Sequence, residues 1–181
     1  MKTVKIPTGF LFTVDGSKGQ LEGLSIGDYG KSRNIKADFL GHTREIHGVP
    51  NGPTVPLSEK WVVTISTQYG CSQKCTFCDV PKIKFGGNAS FDDLMLQYST
   101  ALSMFKDVKY TDRLNLHFAR MGEPIYNPNV FEFAKFLMTN KRELQRELDL
   151  RIEVLHPVLT TSLPKFSHLG KRLIEWCEIK N

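Results

Sequence analysis

From Trp61 onward the chain alternates three times between a short strand-like run and a longer run with helical spacing, and that alternation leaves few possible folds. Residues 61–67 (WVVTIST) are rich in β-branched side chains and read as a buried strand. After a polar stretch, Ser90 offers an N-cap with Asp93 three residues later, a variant of the capping box. Phe91, Leu94, Met95, Tyr98, Leu102 and Phe105 then recur at helical spacing, which predicts a helix over 91–106. A second strand follows at 113–119 (RLNLHFA), with Leu114, Leu116 and Phe118 on one face and Asn115 and His117 on the other. Asn127-Pro128 opens a helix over 128–148, whose stripe is Val130, Ala134, Leu137, Leu144 and Leu148. A third strand spans 151–160 and a third helix 164–177, with Phe166, Leu169, Leu173 and Trp176 on one face. An order of β-α-β-α-β-α implies a parallel sheet with right-handed crossovers.

The first 60 residues read differently. Asp15-Gly16-Ser17-Lys18-Gly19 and Asp28-Tyr29-Gly30-Lys31 are turn clusters, and Ile35, Ala37 and Phe39 alternate with polar residues as in a half-buried strand. Residues 48–56 (GVPNGPTVP) form a proline- and glycine-rich linker. The expected organisation is therefore a small β-rich appendage over 1–60 and an α/β unit over 61–181. Hydrophobic residues make up 40% and charged ones 24%, a globular balance rather than a disordered one. No apolar run approaches the roughly 18 residues of a membrane span, and residues 1–10 lack an apolar signal core; a cytoplasmic chain with no membrane partner is expected. The net charge of +5 is spread thinly and selects no partner by itself.

Three of the four cysteines fall together: Cys71-Ser-Gln-Lys-Cys75-Thr-Phe-Cys78. Such crowding without an export signal points to metal ligation rather than a disulfide framework. Three thiolates can hold three irons of a [4Fe–4S] cube and leave the fourth iron open to a small molecule, whereas most cubes have four cysteines. Structural zinc is the alternative, with His42 or His47 completing the four ligands that zinc requires. Inert buried thiols are a third reading.

The C-x3-C-x2-C loop, with Phe77 just before its third cysteine, resembles that of the radical S-adenosylmethionine superfamily. Residues 66–78 (STQYGCSQKCTFC), Met121-Gly122-Glu123-Pro124 and Asn127 resemble the RNA adenine C2-methyltransferase branch in particular, over about 61–165. The resemblance implies that Cys71, Cys75 and Cys78 ligate the cluster and that the methionine part of S-adenosylmethionine chelates the open iron. It further implies that Gly122 allows close backbone approach, Glu123 accepts from the cofactor's ammonium, Phe77 packs near its adenine and Thr160 contacts it. An external electron donor would drive reductive cleavage to a 5′-deoxyadenosyl radical, with RNA as the substrate class. No further catalytic residue is assigned. In a parallel βα barrel such residues belong at the C-terminal ends of the strands, so the three loops after strands one, two and three should share one rim.

The pattern also breaks. The methyltransferases carry a cysteine seven residues before the first ligand, where this chain has Thr64, and Cys177 sits too early to serve as their methyl carrier. Methyl transfer through a cysteine is therefore not implied. The family barrel has six βα units and this chain shows three, giving a partial barrel as the expected fold. A fragment, or a protomer completed by a second chain, follows from that, as does a non-catalytic half-barrel subunit or metal-binding module. Asn115 and His117 share a strand face that lines either the barrel lumen or a structural hydrogen-bond network, the latter preferred for His117; His156 reads as structural, Lys82 and Lys84 as solvated charges, and Cys177 as a core thiol beside the apolar face of its helix.

Overall fold

The computed structural model describes residues 1–6, 8–28 and 55–180, together with the backbone of 45–46 and 49–50. The strand expected at 35–39, most of the turn at 28–31, most of the stretch 48–56, and His42 and His47 lie outside the described residues. In chain order the strands are β1 (Lys2–Ile6), β2 (Gly9–Gly16), β3 (Gly19–Gly27), β4 (Glu45–Ile46), β5 (Val49–Pro50), β6 (Trp61–Ile65), β7 (Gln68–Tyr69), β8 (Gly87–Asn88), β9 (Tyr110–Phe118) and β10 (Arg151–Leu159). The helices are α1 (Phe91–Ser103), α2 (Pro128–Thr139), α3 (Lys141–Glu147) and α4 (Leu169–Lys180).

The alternation from Trp61 produces the parallel strands it implies. β9 lies between β6 and β10 and pairs parallel with both, Leu114 standing opposite Trp61 on one side and Leu155 on the other. The N-terminal strands continue the same sheet. β3 pairs antiparallel with β6, Leu24 opposite Thr64, so the order is β1-β2-β3-β6-β9-β10 and the architecture is mixed α/β.

The strand periodicity decides where the core lies. Trp61, Val63 and Ile65 of β6 and Leu114, Leu116 and Phe118 of β9 point to one face and are fully buried. Leu94, Tyr98 and Ala101 of α1 and Val130, Phe133, Ala134 and Leu137 of α2 close over them. Trp176 of α4 completes the layer edge-on to Phe118 (5.9 Å between ring centres) and Phe131 (5.7 Å). Each such contact adds about 0.5–1.5 kcal/mol beyond area burial. On the other face Leu24, Ile26 and Val62 form a second, smaller cluster.

Ser90 and Asp93 form the anticipated capping box on α1: Asp93 N donates to Ser90 Oγ (3.1 Å) and Ser90 N to the Asp93 carboxylate (2.9 Å). The same carboxylate also accepts from Ser17 N (2.8 Å) and Ser17 Oγ (2.9 Å), tying the β2–β3 turn to the helix layer.

Three local expectations are corrected. The helix expected over 128–148 breaks at Asn140, whose side-chain Nδ2 and backbone N both donate to Phe136 O; an asparagine that competes for helix carbonyls ends the helix there. The last helix starts at Leu169, not 164; the chain approaches it through a turn in which Leu163 sits at φ 53° and its N–H donates to Thr161 Oγ1 (3.0 Å). Cys177 is exposed rather than a core thiol, and Leu173 is exposed as well. With Trp176 as the one deeply buried position of α4, its neighbour Cys177 is turned about 100° away.

Candidate functional site

The cysteine loop grows from the C-terminal end of β6. After Ile65 the chain crosses Ser66 and Thr67 into β7, which pairs antiparallel with β8, Gln68 opposite Asn88 and Tyr69 opposite Gly87. Gly86 N donates to Tyr69 O (2.8 Å), so residues 70–86 leave and return through one clamped base. Gly70 sits at φ 72°, and a Cβ there would lie 3.0 Å from Lys84 O, which accounts for glycine immediately before Cys71.

Within the loop Cys71, Cys75 and Cys78 are each half-buried. Cys78 N donates to Cys75 O (3.2 Å) and Gln73 N to Cys71 Sγ (3.3 Å). Burial pushes the Cys71 thiol above its ordinary pKa; the Gln73 N–H works against that shift, while the nearby Cys75, Cys78 and Glu123 add to it. Among the described residues no three His, Cys, Asp or Glu side chains converge on a single metal-ion position. Phe77 is 91% exposed and packs on nothing in the rim.

The loop after β9 is bound directly to this one. Thr67 N and Gln68 N both donate to Met121 O (2.7 and 3.2 Å). Gly122 follows at φ 96°, its Cα against Gln68. Glu123 N donates to Gln68 Oε1 (3.0 Å), and the same oxygen accepts from Ser72 N and Ser72 Oγ (3.3 Å each). The Glu123 side chain is 4% exposed. Its carboxylate accepts from Ile125 N (3.3 Å) and, across the rim, from Ser162 N (2.9 Å) and Ser162 Oγ (2.7 Å) of the loop after β10. The three loops expected at one rim are therefore joined by hydrogen bonds.

Thr160 is exposed and makes no hydrogen bond with Glu123; the hydroxyl that reaches Glu123 belongs to Ser162, two residues further on. Gln68, Asn88 and Ser162 carry this network and were not singled out by the sequence pattern. Asn127 caps α2 as its place before Pro128 implies, its Oδ1 accepting from Asn129 N (3.0 Å). Its Nδ2 also donates to Thr67 O (2.7 Å) and Ala89 O (2.9 Å), bracing both ends of the cysteine loop. Only the polar run before Cys71 hinted at such a network.

Elsewhere the polar residues have ordinary partners. Asn115 accepts from Arg113 Nε (2.8 Å), and Lys82 pairs with Asp79. His117 and His156 lie on the sheet face away from α1 and α2. Burial, above all, holds both below the usual histidine pKa, helped at His117 by His156 and Lys60 against the opposing Asp28, and at His156 by Lys180 and Arg113. Thr64 is half-buried in β6 opposite His117. A cavity of about 690 Å³ lined by Phe10, Leu57 and Phe105 sits at the N-terminal end of β6 and β9, the end away from the cysteines.

Sequence comparison adds a relationship to this geometry. The chain is 32% identical over 115 residues to the dual-specificity RNA methyltransferase RlmN of Buchnera aphidicola, covering 61% of this chain and 32% of that protein. It is 31% identical over 130 residues to RlmN of Campylobacter hominis (71% and 34%) and 31% identical over 137 residues to RlmN of Helicobacter hepaticus (73% and 32%). The chain resembles the radical S-adenosylmethionine RNA methyltransferases. It spans about a third of the length of these RlmN proteins. No family model matches the chain, and no solved structure does. Among the described residues no helix is long and apolar enough to cross a membrane.

Proposed function

We propose that this chain carries the cluster- and cofactor-binding part of a radical S-adenosylmethionine enzyme that modifies RNA. Residues 61–181 are then the first three units of a βα barrel, and residues 1–60 are an appendage whose strands extend the same sheet. One observation carries the reading: Cys71, Cys75 and Cys78 project from the loop after β6, and that loop is hydrogen-bonded to the Gly122–Glu123 turn after β9.

The donor set fits a [4Fe–4S] cube. A single zinc needs its ligands gathered at one point, whereas a cube takes each thiolate at a separate corner and three thiolates leave one iron open. Cys71, Cys75 and Cys78 would hold the cluster, which would supply an electron, taken from an external donor, for reductive cleavage of S-adenosylmethionine to methionine and a 5′-deoxyadenosyl radical. The protein's own part is placement. Cys71, Cys75 and Cys78 hold the cluster on a loop clamped at its base, and Gly122, lacking a side chain, lets its turn close on Gln68 beside that loop. Glu123 offers a carboxylate to the cofactor's ammonium, an interaction of the stronger, charge-assisted kind. Phe77, exposed on the loop, is available to cover the adenine, and Thr160 to contact the cofactor from the third loop. RNA as substrate rests on the RlmN relatives. The remaining barrel units would come from further chain or from a second chain.

The test is anaerobic. The protein is reconstituted with iron and sulfide, given S-adenosylmethionine and dithionite, and assayed for 5′-deoxyadenosine beside Cys75→Ala. Cluster formation and 5′-deoxyadenosine in the parent alone bear the proposal out. One zinc per chain without labile sulfide defeats it, and cluster without 5′-deoxyadenosine reduces the chain to a binding module or subunit.

A further inference from the structure

Gln68 is one of the most deeply buried polar residues at the rim, 1% exposed, and it joins the cysteine loop to the turn after β9 without being a ligand. Its Oε1 takes three donors: the backbone N–H of Glu123, the backbone N–H of Ser72 and the Ser72 hydroxyl. Its Nε2 donates to Asn88 Oδ1 (2.8 Å), and Asn88 Nδ2 in turn donates to Tyr126 O (3.2 Å), just past Glu123. Ser72 is the residue after Cys71. One carboxamide thus joins the first cysteine to the Glu123 turn, while its Cβ and Cγ fill the space that a side chain at position 122 would need.

The chemistry of the group matters. A glutamate would keep the acceptor but set an oxygen against Asn88 Oδ1, and Asn88 is oriented by its own bond to Tyr126 O. It would also place a carboxylate between Glu123 and the thiols. A methionine would keep the shape and lose all four hydrogen bonds, stranding the buried Glu123 N–H.

We propose that Gln68 is a positioning residue, whose carboxamide sets the cysteine loop against the Gly122–Glu123 turn and thereby lines up the cluster ligands with the cofactor's methionine end. This rests on the function proposed above. Gln68→Met therefore retains the fold, loads iron and sulfide, and binds S-adenosylmethionine about tenfold more weakly, the scale of one buried donor left unpaired. The cluster is also lost faster to a chelator. Gln68→Glu weakens cofactor binding further.

Ser72→Ala guards against simple misfolding, because Ser72 is exposed and its loss removes one bond to Gln68 from the surface. Its effect on cofactor affinity, about two- to threefold, should vanish in a Gln68→Met background, since the bond it removes is already gone.

The experiment measures iron stoichiometry, chelator-driven cluster loss, and S-adenosylmethionine affinity from the change in the reduced cluster's EPR spectrum. Parent, Gln68→Met, Gln68→Glu, Ser72→Ala and the Gln68→Met/Ser72→Ala double variant are compared. A parent that takes up no cluster defeats the proposed function, and this inference with it. If the parent loads and responds normally but Gln68→Met matches it in affinity and chelator resistance, the positioning role is overturned and the function stands. Additive effects of Gln68→Met and Ser72→Ala would overturn it as well, even were Gln68→Met partly unfolded.

Discussion

Gly122→Ala is the substitution whose outcome the structure determines most sharply. The residue sits at φ 96°, where an L-side chain costs about 1–2 kcal/mol. An added Cβ would also lie 2.5 Å from Gln68 Cβ, 2.6 Å from Gln68 Cγ and 2.8 Å from Gln68 N. The backbone nitrogen cannot step aside, because it donates to Met121 O. Overpacking of that kind costs about 1–3 kcal/mol, so the total is about 2–5 kcal/mol. A domain of this class has a total stability of about 5–15 kcal/mol, so the loss is large. In urea, at a slope of about 2–3 kcal/mol per molar, the unfolding midpoint should fall by about 0.7–2.5 M. Gly170→Ala is the internal control. That glycine lies in α4, a Cβ there meets no atom within 4 Å, and alanine should leave the midpoint unchanged or raise it slightly. A Gly122→Ala midpoint within about 0.3 M of the parent would show that the turn relaxes freely, and the close approach between the two loops would lose its meaning.

Other tests follow from the same contacts. Glu123→Gln keeps an acceptor for Ser162 but removes the charge that strengthens those bonds; a loss of about 1–2 kcal/mol in apo-protein stability is expected from thermal unfolding. Cofactor affinity should fall more steeply, and an unchanged affinity would remove Glu123 from the site. Asp93 supplies a pH dependence. Burial works to raise its pKa, but hydrogen bonds from Ser17 and Ser90 N–H, Tyr69 and the Ser17 hydroxyl outweigh it and hold the carboxyl at about 2. The folded pKa lies below the unfolded one, so the carboxylate stabilises the fold by about 2 kcal/mol above pH 4. That contribution disappears as pH falls toward 2. The stability gap between parent and Asp93→Asn, followed by urea titration, should narrow over that window, and a gap independent of pH would contradict the assignment.

The legible parts of this protein were those written in local patterns. The parallel β6-β9-β10 core was visible because Trp61, Val63 and Ile65, like Leu114, Leu116 and Phe118, alternate with the strand period. The α1 capping box was visible because Ser90 and Asp93 carry it within one turn. What escaped depends on partners far apart in the chain. The pairing of β3 with β6 joins residues some forty positions apart, across a proline-rich stretch that reads only as a break. Ser162 reaches Glu123 across a separation of 39 residues, which no local pattern announces. Asn140 looked like one more residue in a long amphipathic run, and only its bonds to Phe136 O show that it ends one.

The division of labour at the rim follows from the cost of burying polar groups. Gln68, Glu123 and Asn127 are all nearly or fully buried, and each has its hydrogen bonds supplied by the neighbouring loops. Among the described residues the buried side-chain oxygens left without a partner belong to Thr8 and Thr13, in the N-terminal region and away from the rim. The network is spent mostly on joining the loops, and the Glu123 carboxylate is its one anionic group for a ligand. The half-buried thiols are less committed still: among the described residues only Cys71 Sγ accepts a hydrogen bond, from Gln73 N. A rigid polar frame with three uncommitted soft ligands at its lip is the arrangement that an iron–sulfur cluster requires, because ligand placement has to be held by something other than the ligands. Replacing Gln68 or Gly122 should therefore disturb metal binding without touching a thiol, whereas replacing Cys75 should remove the metal and leave the frame intact.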